Sequence, residues 1–152
     1  SPVFARIFNV IGAGLDERHA AARFASQAVA IRDSTGVPIK AGNLSTTRDF
    51  IDVRDVASAL ILLSSNGQPY MAYNVASGQE TSMEAILNAI VRACEIDEGI
   101  TVERSYAREA DIDRVVADIS RLRMLGYEPA YGLQQSIDAL VEYYRDVVRL
   151  AK

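Results

Sequence analysis

The sequence has one cysteine, Cys94, and one histidine, His19. A single thiol cannot close a disulfide within the chain, so no disulfide framework holds this fold. One cysteine with one histidine also excludes the ligand spacings of a zinc site. Tryptophan is lacking, and glycine (9) and proline (4) are scarce among 152 residues. With 49% hydrophobic and 24% charged residues, that excludes fibrous and disordered compositions. No apolar run reaches the roughly 20 residues that span a membrane. Ser1-Pro2-Val3 leads straight into apolar sequence with neither a basic leader nor a cleavage pattern. A net charge of −4 speaks against nucleic acid as the main partner, although a local basic cleft can coexist with it. The expectation is one globular domain in a reducing, cytoplasmic setting, with Cys94 a buried, inert thiol.

What is present alternates between strand-like and helix-like patterns. Phe4 to Val10 reads as a strand ended by the Gly12-Ala13-Gly14 turn. Glu17 to Asp33 is alanine-rich, with Phe24, Ala28 and Ile31 on one helical face, and Thr35-Gly36-Val37-Pro38 breaks it. A short extended piece, Arg48 to Val53, enters a helix in which Val53, Val56, Ala57, Leu60 and Ile61 share a face and Gly67 provides the stop. Asp52 and Asp55 are expected to cap that helix. Met71 to Val75 is a second strand. Thr81-Ser82-Met83-Glu84 fits a capping box, ahead of the apolar stripe Met83, Ile86, Leu87, Ile90, Val91 and Cys94. Ile100 to Ser105 reads as a further strand. Asp118 can cap a short helix that stops at Gly126, and Leu133 to Val148 forms an amphipathic final helix. Strands alternating with helices define an α/β fold. About four short strands make an incomplete parallel sheet, which needs neighbours and cover on both faces.

Four segments carry chemistry. Asn9, at a strand end before a glycine turn, can donate to a phosphate oxygen or satisfy turn backbone. Arg48 and Arg54, within Gly42 to Val56, offer planar donor forks that match phosphate oxygens, or that pair with neighbouring aspartates. Asn74 precedes the Ser77-Gly78 turn and a helix N-terminus, an anion-holding arrangement that also occurs as an ordinary strand-to-helix connection. Arg108 and Asp111 lie three residues apart, spaced to hold a phosphate and a ribose hydroxyl or to pair with each other.

Taken in order, "RIFNVIGAG", "RDFIDVRDVASAL", "YNVASGQETS" and "AREADIDRVVADISRLRMLGYEP" resemble the landmarks of the C-terminal half of extended short-chain dehydrogenases/reductases, the NAD-dependent sugar-nucleotide epimerases and dehydratases. The resemblance runs from about residue 3 to residue 146. "GNLSTTRDFIDVRDV" leans toward the GDP-mannose 4,6-dehydratase and GDP-4-keto-6-deoxymannose reductase branch. It implies the C-terminal part of an extended Rossmann-type fold and a nucleotide-diphosphate-sugar ligand. By the same resemblance Asn9 approaches the diphosphate, Arg48 contacts diphosphate or ribose, Arg108 clamps the diphosphate and Asp111 accepts from a ribose hydroxyl. Arg23 and Phe24, in the segment Asp16 to Ala28, would lie near base and sugar. Two departures stand out: Ala13 where the family commonly has proline, and Arg108-Glu109 where it commonly has Arg-Pro.

The family's hydride-transfer parts are not in this sequence. It has no Gly-x-x-Gly-x-x-Gly, and none of its tyrosines (70, 73, 106, 127, 131, 143, 144) is followed by lysine four residues on. The resemblance therefore implies that NAD or NADP is bound mainly by an N-terminal Rossmann region lying outside residues 1–152. The chain is expected to supply substrate binding, to be inactive alone, and to work with that N-terminal half or a sister chain, as a homo-oligomer. The alternative is a stand-alone, non-catalytic α/β module that binds nucleotides or protein partners.

Overall fold

A computed structural model describes residues 1–31, 37–96, 101–104 and 112–150. The elements run β1 (Phe4–Ile7), β2 (Asn9–Ile11), α1 (Ala20–Ile31), β3 (Ile39–Ala41), β4 (Thr47–Arg48), β5 (Phe50–Asp52) and α2 (Val53–Asn66). There follow β6 (Ala72–Val75), β7 (Thr81–Ser82), α3 (Met83–Ala93), β8 (Val102–Arg104), β9 (Arg114–Val115), α4 (Ser120–Arg123) and α5 (Leu133–Leu150). The fold is mixed α/β with short strands, as expected.

The strands form small patches rather than one sheet. β1 pairs with β6, β2 with β5 and β3 with β8, all parallel, while β4 lies between antiparallel β7 and parallel β9. The expected single strand Phe4 to Val10 is thus two. Phe8 still donates its N–H to Val75 O at 3.0 Å, and from Asn9 onward the chain turns to β5. The three shortest bridges, β4, β7 and β9, were not foreseen, because two residues carry no readable period. Gly12 follows with φ at +144°, and a Cβ there would meet Val53 Cγ1 at 2.9 Å. A side chain at this turn would push β2 away from the start of α2.

Two apolar cores hold these patches. In the first, α1, α3 and α5 pack on one another around Phe24, Ile86, Ile90, Ile137 and Leu140. The second lies between α2, α4 and the β1–β6 pair, around Ile51, Leu63, Val75 and Leu122. The α3 stripe is buried as its spacing demands, and Cys94 at its C-terminus is fully covered. The N-cap of α3 is Ser82, however, whose hydroxyl accepts from Ala85 N at 3.1 Å. Thr81 instead joins the β4–β7 bridge, which sets the helix start one residue later than the capping-box reading.

Asp52 caps α2 as expected, accepting from Arg54 N. Asp55 does not act as a cap. Its buried carboxylate accepts from Ala130 N at 3.0 Å and Tyr131 N at 3.1 Å, fixing the approach to α5. Gly67 ends α2, donating to Leu63 O at 2.9 Å. Asp118 Oδ1 accepts from Ser120 N at the start of α4. No helix among the described residues is long and apolar enough to cross a membrane.

Candidate functional site: a cationic cleft between two strand patches

The first core ends in an open cleft of about 610 Å³. Asn9 and Arg48 line it from the strand ends, Arg18, His19 and Arg23 from the α1 side, and Lys40 from β3. Phe24, Phe50 and Met83 contribute apolar floor. Four cations thus surround one opening, with Glu17 as the carboxylate among the lining residues. An acidic chain has gathered positive charge in one place, which suits an anionic ligand.

Of the five side chains expected to hold substrate, Asn9, Arg23 and Arg48 come together in this cleft. Arg108 and Asp111 lie outside the described residues. The register explains the first group. Asn9 lies opposite Phe50 in the β2–β5 pair, and its side-chain amide donates to Asp49 O at 3.1 Å. Arg48 is half-buried beside it, and Nη1 donates to Thr47 O at 2.8 Å. Among the described residues no other bond of this guanidinium competes, which leaves most of its five donors for a ligand. Arg23 reaches only Arg18 O, at a long 3.5 Å, and is exposed to the opening.

Between Asn9 and Arg48 stands a residue the motif reading did not single out. Asp49 is fully buried, with no cationic partner among the described residues. Its carboxylate accepts from Ser77 N (2.8 Å), Ser77 Oγ (2.7 Å), Gly78 N (2.9 Å) and Ala117 N (3.2 Å). Four donors replace the water lost on burial. One aspartate therefore ties the second, third and fourth motifs together while its own carbonyl holds Asn9. Gly78 is required there, with φ at +76°.

Other candidates turn out to be structural. Arg54 is bidentate to Asp52 (2.8 Å for both bonds) and lies 3.5 Å over the Tyr131 ring. Asn74 donates to Asp118 O at 2.9 Å, joining β6 to the approach of α4. Arg18 is held by Asp16 at 2.6 Å, and the guanidinium's hydrogen bonds push the Asp16 carboxyl down to about 2. Among the described residues, no group of three or more His, Cys, Asp or Glu side chains could hold a metal ion.

The family model described as GDP-mannose 4,6 dehydratase matches residues 2–140. The chain belongs to that family. It is 30% identical over 147 residues to GDP-6-deoxy-D-mannose reductase of Pseudomonas aeruginosa, covering 95% of this chain and 48% of that protein. A "putative UDP-glucose 4-epimerase" of Methanocaldococcus jannaschii is 31% identical over 111 residues, 72% of this chain and 34% of the relative. Among solved structures, RMD from Pseudomonas aeruginosa complexed with NADPH superposes with a TM-score of 0.89 at 28% identity, over 95% of this chain and 48% of that one. The Thermus thermophilus UDP-glucose 4-epimerase complex with NAD gives 0.79 at 26% identity, over 94% and 46%. These neighbours place the fold among the extended short-chain dehydrogenases/reductases, and this chain spans about half the length of the relatives it matches.

Proposed function

We propose that this chain is the substrate-holding half of an NAD(P)-dependent nucleotide-sugar enzyme, and that its ligand is a GDP-sugar. One observation carries the reading: Asn9 and Arg48, from separate motifs, and Arg23, from the segment between them, line a single cationic cleft. Arg48 and Asn9 hold the diphosphate, and Arg23 lies toward the base and sugar. Arg108 and Asp111 join them on the strength of the motif resemblance, as diphosphate clamp and ribose acceptor. Charge-assisted hydrogen bonds of this kind contribute ~1.5–3 kcal/mol each. Held at its nucleotide end, the sugar is positioned for chemistry supplied by another polypeptide region.

The residues present do not form a nicotinamide site, since the glycine fingerprint and the Tyr-x-x-x-Lys pair are both lacking. Alone, the chain binds and orients but transfers no hydride. The region supplying the cofactor would pair with β1, whose partner among the described residues is β6 on one edge. Phe4 (53% exposed) and Ile7 (46%) support that docking face. The proposed working state is an assembly of this chain with that half or a sister chain.

Calorimetric titration with GDP-, UDP- and dTDP-sugars tests the reading. Binding of a GDP-sugar is expected, weakened about tenfold or more in Arg48→Ala. Detectable binding of NAD(P) with none of any nucleotide sugar would overturn it.

A further inference from the structure

The chain contains 14 arginines and two lysines (16 basic residues in all), and the second lysine, Lys152, is its last residue. The one internal lysine, Lys40, lines the cleft. Its direction is fixed by the strand it occupies. In β3, Ile39 and Ala41 are buried at 0% and 2% exposure, and Lys40 between them is exposed. Side chains alternate along a strand, so burying its two neighbours sends Lys40 out of the opposite face.

The backbone of Lys40 is held just as firmly. β3 pairs with β8 along one edge. At the other edge Gln27 takes the place of a neighbouring strand: Oε1 accepts from Lys40 N at 2.9 Å, and Nε2 donates to Lys40 O at 3.3 Å and to Arg23 O at 3.0 Å. Gln27 is therefore committed to the protein and is not a ligand-reading amide. The ammonium of Lys40 has no hydrogen-bond or ion-pair partner among the described residues. By contrast, Arg18 is paired with Asp16, and Glu17, the carboxylate in the lining, accepts from Ser26 Oγ at 2.9 Å.

Asn9 enters the cleft from β2 and Arg48 from β4, whereas Lys40 enters it from β3, where α1 supplies Gln27. With Asn9 and Arg48 holding the diphosphate, Lys40 is a separate cation in the same cleft, on another strand, for the nucleoside to meet. We propose that Lys40 is a specificity-determining residue, whose ammonium donates to the O6 and N7 acceptors of a guanine base. Guanine presents two acceptors along one edge, adenine replaces one of them by an amino donor, and uracil offers a single carbonyl there. A donor-only ammonium thus favours guanine. This inference rests on the nucleotide-sugar reading of the same cleft.

The test compares GDP, IDP and UDP binding to the chain and to its Lys40→Met variant, which keeps the aliphatic stem. IDP retains O6 and N7 but lacks the 2-amino group. The expected result is tighter binding of GDP and IDP than of UDP. Lys40→Met should weaken GDP and IDP about tenfold and leave UDP within about twofold. Equal loss for all three would make Lys40 a phosphate contact and overturn the inference, as would unchanged GDP binding. Wild-type protein that binds no nucleotide at all would instead defeat the underlying reading. Reductive 13C-methylation supplies an independent readout, since only Lys40, Lys152 and the N-terminus are labelled. The Lys40 dimethylamino resonance should shift on adding GDP and remain in place with inorganic pyrophosphate; a shift with pyrophosphate alone would count against a base contact.

Discussion

A buried carboxylate without a cation is costly unless hydrogen bonds replace its water. Asp49 meets that requirement with four donors from two other loops. Asp49→Asn would turn an amide –NH2 toward backbone N–H groups, of Ser77 or of Gly78 and Ala117, that can only donate. A loss of ~3 kcal/mol is expected, read as a lower urea midpoint, with weaker nucleotide binding because Asn9 is anchored on the Asp49 carbonyl. Asp52 makes a second residue-scale prediction. Burial alone would raise its pKa, but hydrogen bonds from the Arg54 guanidinium, Ser136 and the Arg54 amide outweigh burial and hold the carboxyl below 3.8. The folded value lies below the unfolded one, so the unfolded chain binds this proton more readily. The stabilisation is complete above 3.8 and is lost as pH falls through the lower folded value. Urea midpoints taken between about pH 5 and about pH 2 should fall less steeply in Asp52→Asn than in wild type. The helix-capping role of Asp52 was legible in the sequence, but its bidentate pairing with Arg54 and the burial of Asp49 among backbone amides were not. "RDFIDVRD" shows five charges among eight residues, and nothing in their spacing tells which carboxylate faces a guanidinium and which faces backbone amides.

At the scale of elements, α3 and α5 could be read directly but α2 could not: of its expected face Val53, Val56, Ala57, Leu60 and Ile61 only Val56 is buried, and the helix instead turns Asp55, Ala59 and Leu63 inward. The α3 stripe and the apolar face of α5 recur every three or four residues, and both helices bury the positions that period selects. Strand pairing could not be read in this way. Phe4 to Val10 reads as one strand, yet the chain changes partner at Phe8 because β6 and β5 lie in different patches. β1 also leaves an edge and two large apolar side chains, Phe4 and Ile7, uncovered among the described residues. Such an edge templates pairing with another chain. In sedimentation-velocity runs at rising concentration the isolated chain should shift toward dimer, and the double variant Phe4→Lys, Ile7→Lys should stay monomeric. A wild-type chain that remains monomeric at every concentration would remove the argument for an open edge.

At the scale of the molecule, two apolar cores are joined by few polar links. Ser136 Oγ of α5, beside Ile137 of the first core, donates at 2.6 Å to Oδ2 of Asp52, which follows Ile51 of the second. β2–β5 spans the same boundary, with Ile11 in one core and Ile51 in the other. Leu140 and Leu122, both at 0% exposure, sit one in each core. Leu140→Ala and Leu122→Ala should each cost about 2–5 kcal/mol. Both should move a single shared urea transition; two separate steps, each displaced by one substitution only, would show that the cores unfold independently.

The sequence alone determined the class of the fold, the helices with a sustained period, the family resemblance, and three of the cleft side chains, Asn9, Arg23 and Arg48. These are local or ordered features, which spacing and motif order preserve. Tertiary structure decided which aspartate would cap, which would be buried, and which arginine would stay available to a ligand. It also brought Lys40 and Gln27 to the same cleft as Asn9. Those outcomes depend on which distant backbone donors meet each side chain, and that is settled only when the strand patches and the two cores close around the cleft.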